Sequence, residues 1–537
     1  MLRASFASVF AALVVFWGSA RDIAVARAAE PRATRGGTVS VASAAEIEAW
    51  VASARSLGLA RTTQWLRLGH YRSGLFGGWA SEADARGFFL ASEGKHDPEA
   101  ELVATLRALF SAGPDDDATG RQHPFCRFPA RRKFLVEALG IPVARLPGRR
   151  CTRLTQYLSE LRAVGATLVF SSYYLNNPAS AFGHTFLRIE KRGKQTPEGG
   201  SDLLDYGVDY SASVDTGNAL LYAIKGLLGL FPGYFRKIPY YTKVREYNDF
   251  ESRDLWEYEL ALSPSEMEYV AAHLWELGST YFAYYYLSEN CSYHVLGLLE
   301  AASPRLSLLD GLGWPVVPAE TVKALFRNPG LVRAVHYRPS NRTALRRRVQ
   351  GLNADELDLL ARLMTDPRAP FAPAMPEARQ IRVLDTALDL VDVRLARDLV
   401  KERSELGDEA ELQQELLLRR AEYDAVSEPA PLAPPFRSMP HLGHGARRLG
   451  LGSGYATDSG YYHLLRFRLA LHDLVDPSRG YPTWATLEFV PFTLRYRLEQ
   501  EKPTLEELSL VRVESLSPWT RFEKPLSFRT GIGMLRT

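Results

Sequence analysis

The C-terminal part of the chain alternates between apolar and polar side chains with a period of two. Tyr462–His472, Phe492–Leu498 and Phe528–Met534 all show this alternation, with arginine frequent at the polar positions. Successive side chains of a β-strand point to opposite faces of the sheet, so the pattern predicts antiparallel strands with one apolar and one polar face. Such strands are typical of outer-membrane β-barrels, and a soluble sandwich is the alternative.

The number of these strands is lower than a complete membrane barrel needs. We count about five strands beyond residue 440, whereas a membrane barrel has at least about eight. The arginine-rich face favours a polar barrel lumen over a sandwich. We therefore expect outer-membrane β-barrel strands at 441–537, with two alternatives left open: the sequence is truncated, or something outside this chain completes the barrel.

The N-terminus predicts export. Arg3 precedes the nearly unbroken apolar run Phe6–Trp17, and small residues follow up to Ala28. This order is typical of a secretory signal peptide, and the run is shorter than the about 20 residues that a membrane span needs. We predict a cleaved signal peptide at 1–28 and a location in the periplasm or at the outer membrane.

The charge balance argues against a nucleic-acid partner. The chain has 65 basic and 62 acidic residues, a net charge of +3, without a concentrated basic stripe. Proteins that bind the phosphate backbone have such a stripe. Nucleic acid is therefore not an expected partner.

The middle of the chain mixes strands and helices, so the predicted fold class is α+β. The predicted strands are Ala166–Tyr174, His184–Ile189, Leu203–Ala212 and Trp256–Leu262, and the predicted helices are Pro264–Leu277 and Asn290–Ala302. The expected regions after the signal peptide are a helical N-terminal region at 43–165, an α+β domain at 166–306, helical residues 307–425, a proline-rich linker at 426–440, and the strands at 441–537.

Three cysteines follow the predicted signal peptide: Cys126, Cys151 and Cys291. Disulfides persist in exported proteins, and Cys126 and Cys151 lie close together on either side of a helix-like segment. Pairing them would close a loop and stabilise the fold by about 3–4 kcal/mol. Cys291 is then left as a free thiol, which is either buried and inert or reactive.

The surroundings of Cys291 favour a reactive thiol. It lies within Glu289–His294, at the start of a predicted helix, where free N–H groups and the helix dipole stabilise a thiolate. The same N–H groups can bind an oxyanion. We predict Cys291 as a nucleophile supported by Asn290, a suitable N-cap, and by Ser292. The alternative is a structural cysteine in the core.

A cysteine nucleophile needs a base within hydrogen-bonding reach. We predict His184 for this role, because it opens a strand directly after Gly183, which allows a close approach. Asn177, which begins the segment before His184, is predicted as a supporting residue. His294, one helical turn beyond Cys291, is the weaker candidate for the base.

A third side chain is expected to orient the imidazole. Asp205, Tyr206 and Asp209 lie on the strand after His184, and the sequence does not choose well among them. We take Asp205 as the third catalytic residue and Tyr206 as a supporting one. Neither an H-E-x-x-H motif nor paired metal-binding cysteines occur, so no metal site and no cofactor are predicted.

The segment Ala219–Tyr241 bears on the substrate. It is apolar and aromatic, with Lys225, Arg236 and Lys237 at its edges. It is too short before Pro232 to span a bilayer. We expect it either at a membrane interface beside the site or buried in the core.

Several longer motifs resemble those of a known family. His184 on a strand before Cys291 on a helix looks like a circularly permuted papain-like fold, as in lecithin–retinol acyltransferase relatives and some cell-wall amidases. More closely, the chain resembles the outer-membrane lipoprotein N-acyltransferase (Lnb) family over roughly residues 45–430 and the beginning of the barrel. The matching motifs are CRFPAR at Cys126–Arg131, NPASAFGHTFLRIE at Asn177–Glu190, KGLLGLFPGYF at Lys225–Phe235, RDLWEY at Arg253–Tyr258 and ENCSYHVLGLLE at Glu289–Glu300.

The resemblance implies an acyltransferase. His184 would deprotonate Cys291, and the thiolate would attack a phospholipid ester to form a thioester. The α-amine of a lipoprotein would then accept the acyl chain, at the outer membrane. Two other functions stay open: a papain-like amidase or peptidase acting on cell-wall peptides, and a non-catalytic outer-membrane protein with Cys291 in its core.

Overall fold

The structure is a computed structural model that describes residues 41–74, 76–116, 120–173, 182–191, 200–400, 407–427, 439–458 and 460–536. Three predictions fall on other residues. The signal peptide at 1–28, Asn177 and most of the linker at 426–440 lie outside the described residues.

The N-terminal region is mostly helical. Its first helix begins at a capping box, in which Ser43 and Glu46 satisfy each other's main-chain N–H groups. Asp97 caps the third helix, with Pro98 in the first turn, where its missing N–H costs nothing. The elements are α1 (Ala44–Ser56), α2 (Thr63–Leu68), β1 (Tyr71–Ser73), β2 (Trp79–Ser81), α3 (Pro98–Leu109), α4 (Pro124–Arg127), α5 (Pro129–Leu139) and α6 (Thr152–Leu161).

A disulfide joins Cys126 to Cys151, as predicted from the cysteine count. Cys126 lies on α4 and Cys151 precedes α6, with 5.2 Å between their Cα atoms. Both residues are buried in the main core. Cys291 is the free cysteine, and it is also buried.

A seven-stranded antiparallel sheet forms the centre of the α+β part. The strands pair in the order β8-β6-β5-β4-β3-β7-β9. The helices α9 and α10 pack on it, α9 against β3 and α10 against β4 and β5. The elements are β3 (Ala163–Ser171), β4 (His184–Lys191), β5 (Tyr206–Ala212), α7 (Ala219–Leu227), β6 (Phe231–Pro239), α8 (Tyr240–Val244), β7 (Leu255–Leu260), α9 (Pro264–Leu277), β8 (Phe282–Tyr284), α10 (Cys291–Ala302), α11 (Pro318–Phe326) and β9 (Val332–Arg338).

The four predicted strands of this sheet are present with shifted ends, and β6, β8 and β9 were missed. The strand β9 lies within the region 307–425, for which helices were predicted, and it pairs with β7 at the sheet edge. One hydrophobic core runs from Val51 to Leu331. The N-terminal helices and the sheet therefore share a core and stabilise each other. The permuted papain-like architecture stays a prediction.

Four helices follow the sheet and have a core of their own. They pack around buried leucines such as Leu359, Leu360 and Leu416. Of the helices described, none is both long enough and apolar enough to cross a membrane. The four helices are α12 (Asn341–Gln350), α13 (Ala354–Leu363), α14 (Glu377–Val400) and α15 (Gly407–Arg420).

The C-terminal strands form a second antiparallel sheet. The chain continues from β11 into β12 and from β13 into β14, so the seven strands form five longer strands that pair in a meander. The sequence predicted about five strands here. Leu451 and Ile532 are exposed on this sheet. Its strands are β10 (Arg448–Ala456), β11 (Gly460–Arg468), β12 (Ala470–His472), β13 (Ala485–Phe489), β14 (Phe492–Arg497), β15 (Lys502–Ser515) and β16 (Phe528–Leu535).

This second sheet is open. Its outer segments β10 and β16 do not pair with each other among the residues described. The antiparallel strands are thus as predicted, but they do not close into a barrel here.

Candidate functional site

Cys291 is the first residue of α10. Asn290 caps this helix, and its Oδ1 accepts hydrogen bonds from the main-chain N–H of Tyr293 at 3.4 Å and from the Ser292 hydroxyl at 2.8 Å. Its Nδ2 donates to the carbonyls of Tyr286 and Val316 at 3.1 and 2.7 Å. Asn290 and Ser292, both predicted as supporting residues, therefore hold the start of the helix. The Asn290 amide has no hydrogen left for an oxyanion.

His184 opens β4 and lies against the thiol. The imidazole and the thiol shift each other's pKa through their charges and a hydrogen-bonding interaction, and the main-chain N–H of Thr185 also favours the thiolate. The Nε2 atom of His184 lies 2.7 Å from Oδ1 of Asp209, which leaves Nδ1 to meet the thiol. The structure thus brings together the predicted nucleophile and the predicted base, although 107 residues of sequence separate them (291 − 184).

Asp209, rather than Asp205, is the acidic partner of the imidazole. Asp205 accepts a hydrogen bond from the main-chain N–H of Lys191 at 3.0 Å and lines a cleft of about 700 Å³ with Arg188. The choice of Asp205 as the third residue is therefore corrected to Asp209. The register of β4 against β5 explains the difference. Arg188 pairs with Gly207, so Asp209 lies on the same face of the sheet as His184 and near the same end of it.

Tyr206 does not reach the site either. It alternates with Asp209 along β5 and so points to the other face. Its ring packs against the ammonium groups of Lys191 and Lys237, 3.6 and 4.6 Å from the ring centre. Among the described residues, none of the contacts of Tyr206 is with Cys291 or His184, so its supporting role stays a prediction.

Lys243, which was not among the predicted site residues, holds Asp209. Its Nζ lies 3.1 Å from Oδ2 of Asp209 and 2.9 Å from Glu246. Asp209 thus bridges a lysine and a histidine, and it is 5% exposed. Lys243 lies on α8, which follows β6 in the chain, and no local motif marks it.

The electrostatics of the trio favour an ion pair. Burial opposes protonation of His184, but the Cys291 thiolate and the Asp209 carboxylate outweigh it and raise the pKa of His184 to about 10. Burial also opposes the thiolate, but His184 and the Thr185 N–H outweigh it and hold the pKa of Cys291 below its ordinary value. Both shifts favour the thiolate–imidazolium pair over the neutral thiol and imidazole.

His294, the weaker candidate for the base, lies elsewhere. Its ring packs on Tyr210 and Phe282, with centroids 4.3 and 4.5 Å away, and it is fully buried. Burial lowers its pKa to about 3. His294 is therefore a neutral core residue beneath the site.

Tyr284 is a further residue that the sequence analysis missed. Its hydroxyl lies near the main-chain N–H of Cys291, which lowers the pKa of that hydroxyl, although burial is the larger cause and raises it. This N–H belongs to the first turn of α10 and has no partner within the helix. The Tyr284 hydroxyl therefore marks the position where an oxyanion would meet the helix start.

An exposed apolar surface adjoins the site. It comprises Leu221, Ile224, Leu227, Leu228 and Leu230, on α7 and the turn after it, each at least 43% exposed. The main-chain N–H of Tyr286 donates to the carbonyl of Gly226 at 2.9 Å, and Tyr286 lies five residues before Cys291. The second half of Ala219–Tyr241 is the strand β6, in which Phe231 is buried, so the segment is exposed in one part and buried in another. Its place at a membrane interface stays a prediction.

One group of side chains has the composition of a metal site. The ligand atoms of His444, His472 and Asp476 lie within 4.8 Å of one another. However, Arg448 and Arg468 already bind the two carboxylate oxygens of Asp476. Ion pairing explains this group, and we assign it no metal.

Comparison with known proteins gives one informative match. Residues 153–328 match the Lnb N-terminal periplasmic domain. Residues 57–138, 335–432 and 437–537 match three domains of unknown function, DUF7843, DUF7842 and DUF7840. No curated protein and no solved structure matches the chain. Since the matched segment contains both His184 and Cys291, the comparison supports a periplasmic protein of the Lnb family.

Proposed function

We propose that the protein is a cysteine-dependent acyltransferase that moves an acyl chain from a phospholipid, through a thioester on Cys291, to the α-amine of lipoproteins. The observation that carries the proposal is the contact of Cys291 with His184, which Asp209 orients. A thiolate at a helix N-terminus with a paired imidazole is the arrangement that acyl transfer through cysteine needs. The match to the Lnb periplasmic domain is consistent with lipoprotein N-acylation.

The donor step follows from these contacts. The Cys291 thiolate attacks the ester carbonyl carbon, and the oxyanion forms near the main-chain N–H of Cys291 and the Tyr284 hydroxyl. The C–O bond then breaks, and the His184 imidazolium gives its proton to the departing alkoxide. The products are the thioester, a lysophospholipid and a neutral His184.

The exposed leucines of α7 favour a lipid as the donor. A polar peptide would gain little from this surface, whereas a bilayer or an acyl chain would cover it. The surface is connected to Cys291 through the segment that begins at Tyr286. These points support a phospholipid ester over a cell-wall peptide as the substrate.

Intact-mass measurement tests the proposal. The protein is incubated with phospholipid vesicles, and we expect a mass increase of one acyl chain that hydroxylamine removes and that Cys291→Ala abolishes. Cys126 and Cys151 are disulfide-bonded and cannot substitute for Cys291. Equal labelling of Cys291→Ala, or no labelling of the wild type, would refute the proposal.

A further inference from the structure

Two acidic groups of the site carry negative charge at the same time when the thiolate forms. Cys291 and Asp209 are 3% and 5% exposed, and His184 interacts with both. Burial opposes the thiolate, and the Asp209 carboxylate opposes it further, because like charges repel. The imidazolium supplies one positive charge for these two negative charges. A second cation is needed for both anions to be stable in a buried site.

Lys243 has the position of such a cation. Its Nζ lies 3.1 Å from Oδ2 of Asp209, the oxygen other than the one that His184 contacts, and 2.9 Å from Oε2 of Glu246. It also donates to the hydroxyl of Tyr247 at 3.3 Å. The three hydrogens of the ammonium thus have three acceptors, which fixes the position of the charge. Lys243 is 6% exposed, and lysines are almost never buried without such partners.

The fold brings Lys243 to the face of β5 on which Asp209 lies. Gly207 and Asp209 lie two residues apart on this strand, so they share a face. The stem of Lys243 passes over Gly207, where a Cβ atom would lie 3.6 Å from its Cγ. The helix α8, which carries Lys243, directly follows β6, the neighbour of β5 in the sheet. The lysine therefore reaches Asp209 from the adjacent strand.

The other titratable groups described near Lys243 and Asp209 do not supply this charge. Glu246 is an anion whose side chain is 44% exposed, so water screens it. Arg253 is a cation beside the Tyr247 ring, 4.8 Å from its centre, but it is already bound to Glu251 at 2.7 Å and to main-chain carbonyls at the end of β3. Tyr247 stays neutral, since burial raises the pKa of its hydroxyl.

We propose that Lys243 is a positioning residue that supplies the second positive charge of the site, so that the Cys291 thiolate and the Asp209 carboxylate are ionised together. By holding Oδ2, it also fixes the oxygen that Asp209 offers to His184. The part that Lys243 plays in acyl transfer rests on the proposed function, whereas its effect on the thiol does not. Burial opposes the charge of Lys243, but Asp209 and Glu246 outweigh it and raise its pKa above the ordinary value.

The same charge balance holds after the donor step. The thioester carries no charge and His184 is neutral at that stage, so Asp209 is the remaining anion of the site. Without Lys243 it would be a buried carboxylate that lacks a cation, and such a group takes up a proton. Lys243 keeps Asp209 ionised, so that His184 accepts the proton of the attacking amine.

Alkylation of Cys291 at different pH values tests the charge. The full chain is treated with iodoacetamide, and the modified fraction is measured by mass spectrometry. We expect Lys243→Met to raise the apparent pKa for alkylation of Cys291 by about 1, because the thiolate then leaves a net negative charge in the buried site. Below that pKa, the thiolate fraction, and with it thioester formation from phospholipid vesicles, should fall about tenfold. Lys243→Arg keeps the charge and should recover most of both losses.

Lys323→Met is the matched control. Lys323 is also mostly buried, and it binds a glutamate three residues away, Glu320, at 2.7 Å. This variant should keep the alkylation profile of the wild type. An unchanged profile for folded Lys243→Met, or an equal shift for Lys323→Met, would overturn the inference. If Lys243→Met shows the shift but the wild type forms no thioester, the proposed function fails and the effect of Lys243 on the thiol stands.

Should Lys243→Met not fold, two variants of Asp209 provide the test. Asp209→Asn removes an anion, and Asp209→Asn/Lys243→Met removes an anion and a cation together, so neither leaves a buried carboxylate without its cation. We expect the single variant to be alkylated at a lower pH than the double variant, because only the single variant keeps the charge of Lys243. The same profile for both variants, or the reverse order, would contradict the role of Lys243.

Discussion

Nε2 of His184 and Oδ1 of Asp209 lie 2.7 Å apart, within hydrogen-bonding distance. Lys243 holds the other oxygen of the same carboxylate at 3.1 Å. Asp209 therefore orients the imidazole and stabilises its charged form, while Lys243 keeps Asp209 ionised. The partners of Asp209 hold its pKa well below the ordinary value despite burial, which opposes this.

Asp209→Asn should remove most of the activity without removing the thiol. The amide cannot stabilise the imidazolium and favours the wrong tautomer, so we expect thioester formation to slow by a factor on the order of 100 to 10,000. The rate of acyl-enzyme formation measures this. The matched control is Asp205→Asn, which should stay within a few-fold of the wild type; a larger effect than that of Asp209→Asn would contradict the assignment.

The reactivity of Cys291 should have an unusual pH profile. Because the pKa of Cys291 is lowered, its thiolate persists to a lower pH than the thiolate of an ordinary cysteine. The imidazolium of His184 persists up to its pKa of about 10. Alkylation by iodoacetamide, followed by mass spectrometry, should therefore reach its maximal rate at a lower pH than alkylation of an ordinary thiol does. His184→Ala should slow alkylation at pH 7 and restore a steep rise toward alkaline pH. Identical profiles for the two proteins would argue against the ion pair.

The disulfide should contribute to stability but not to chemistry. Removing it with the double variant Cys126→Ser/Cys151→Ser opens a loop with a sequence separation of 25 residues. We expect the free energy of unfolding to fall by about 3 kcal/mol, measured by denaturant titration. Reductant should destabilise the wild type by a similar amount and leave the double variant unchanged. Alkylation of folded Cys291 should be the same in both proteins.

The ion pair between Glu101 and Arg131 should be sensitive to the loss of one partner. Arg131 Nη1 lies 2.7 Å from Glu101 Oε1, and both side chains are 1% exposed. Arg131→Met would leave a buried carboxylate without its cation and should destabilise the protein by about 3–5 kcal/mol. The double variant Glu101→Gln/Arg131→Met should be less destabilised than Arg131→Met alone, in thermal or denaturant unfolding. Simple additivity of the two single variants would show that the charges do not interact.

The exposed apolar side chains of α7 should affect thioester formation only with donors in a bilayer. Leu221 and Ile224 are each 44% exposed, so replacing both with serine should not disturb the core. We expect thioester formation from phospholipid vesicles to slow about 30-fold, because about 1 kcal/mol of apolar burial in lipid is lost for each of the two residues. The rate with a short-chain, water-soluble ester should not change. Leu57→Ser, at an exposed leucine of the N-terminal region, is the control. If it slowed thioester formation equally, α7 would have no special role in binding the donor.

The sequence alone identified much of the site. A helix start is marked by local signals, so Asn290 and Cys291 could be placed at the first turn of α10. The strand that begins at His184 and the pairing of Cys126 with Cys151 were likewise predictable. The period of two marked the C-terminal strands, because alternation depends only on neighbours along the chain.

Only the tertiary structure decided which groups meet at the thiol. Asp205 and Asp209 are four residues apart on one chain segment, and the register of β4 against β5 determined that Asp209 reaches His184. Register depends on how whole faces pack in the core, which no local pattern encodes. Asp84 accepts a hydrogen bond from the main-chain N–H of Ala283 for the same reason: the N-terminal helices and the sheet share one core. The residue types that do chemistry are therefore readable from the sequence, whereas their partners depend on long-range packing.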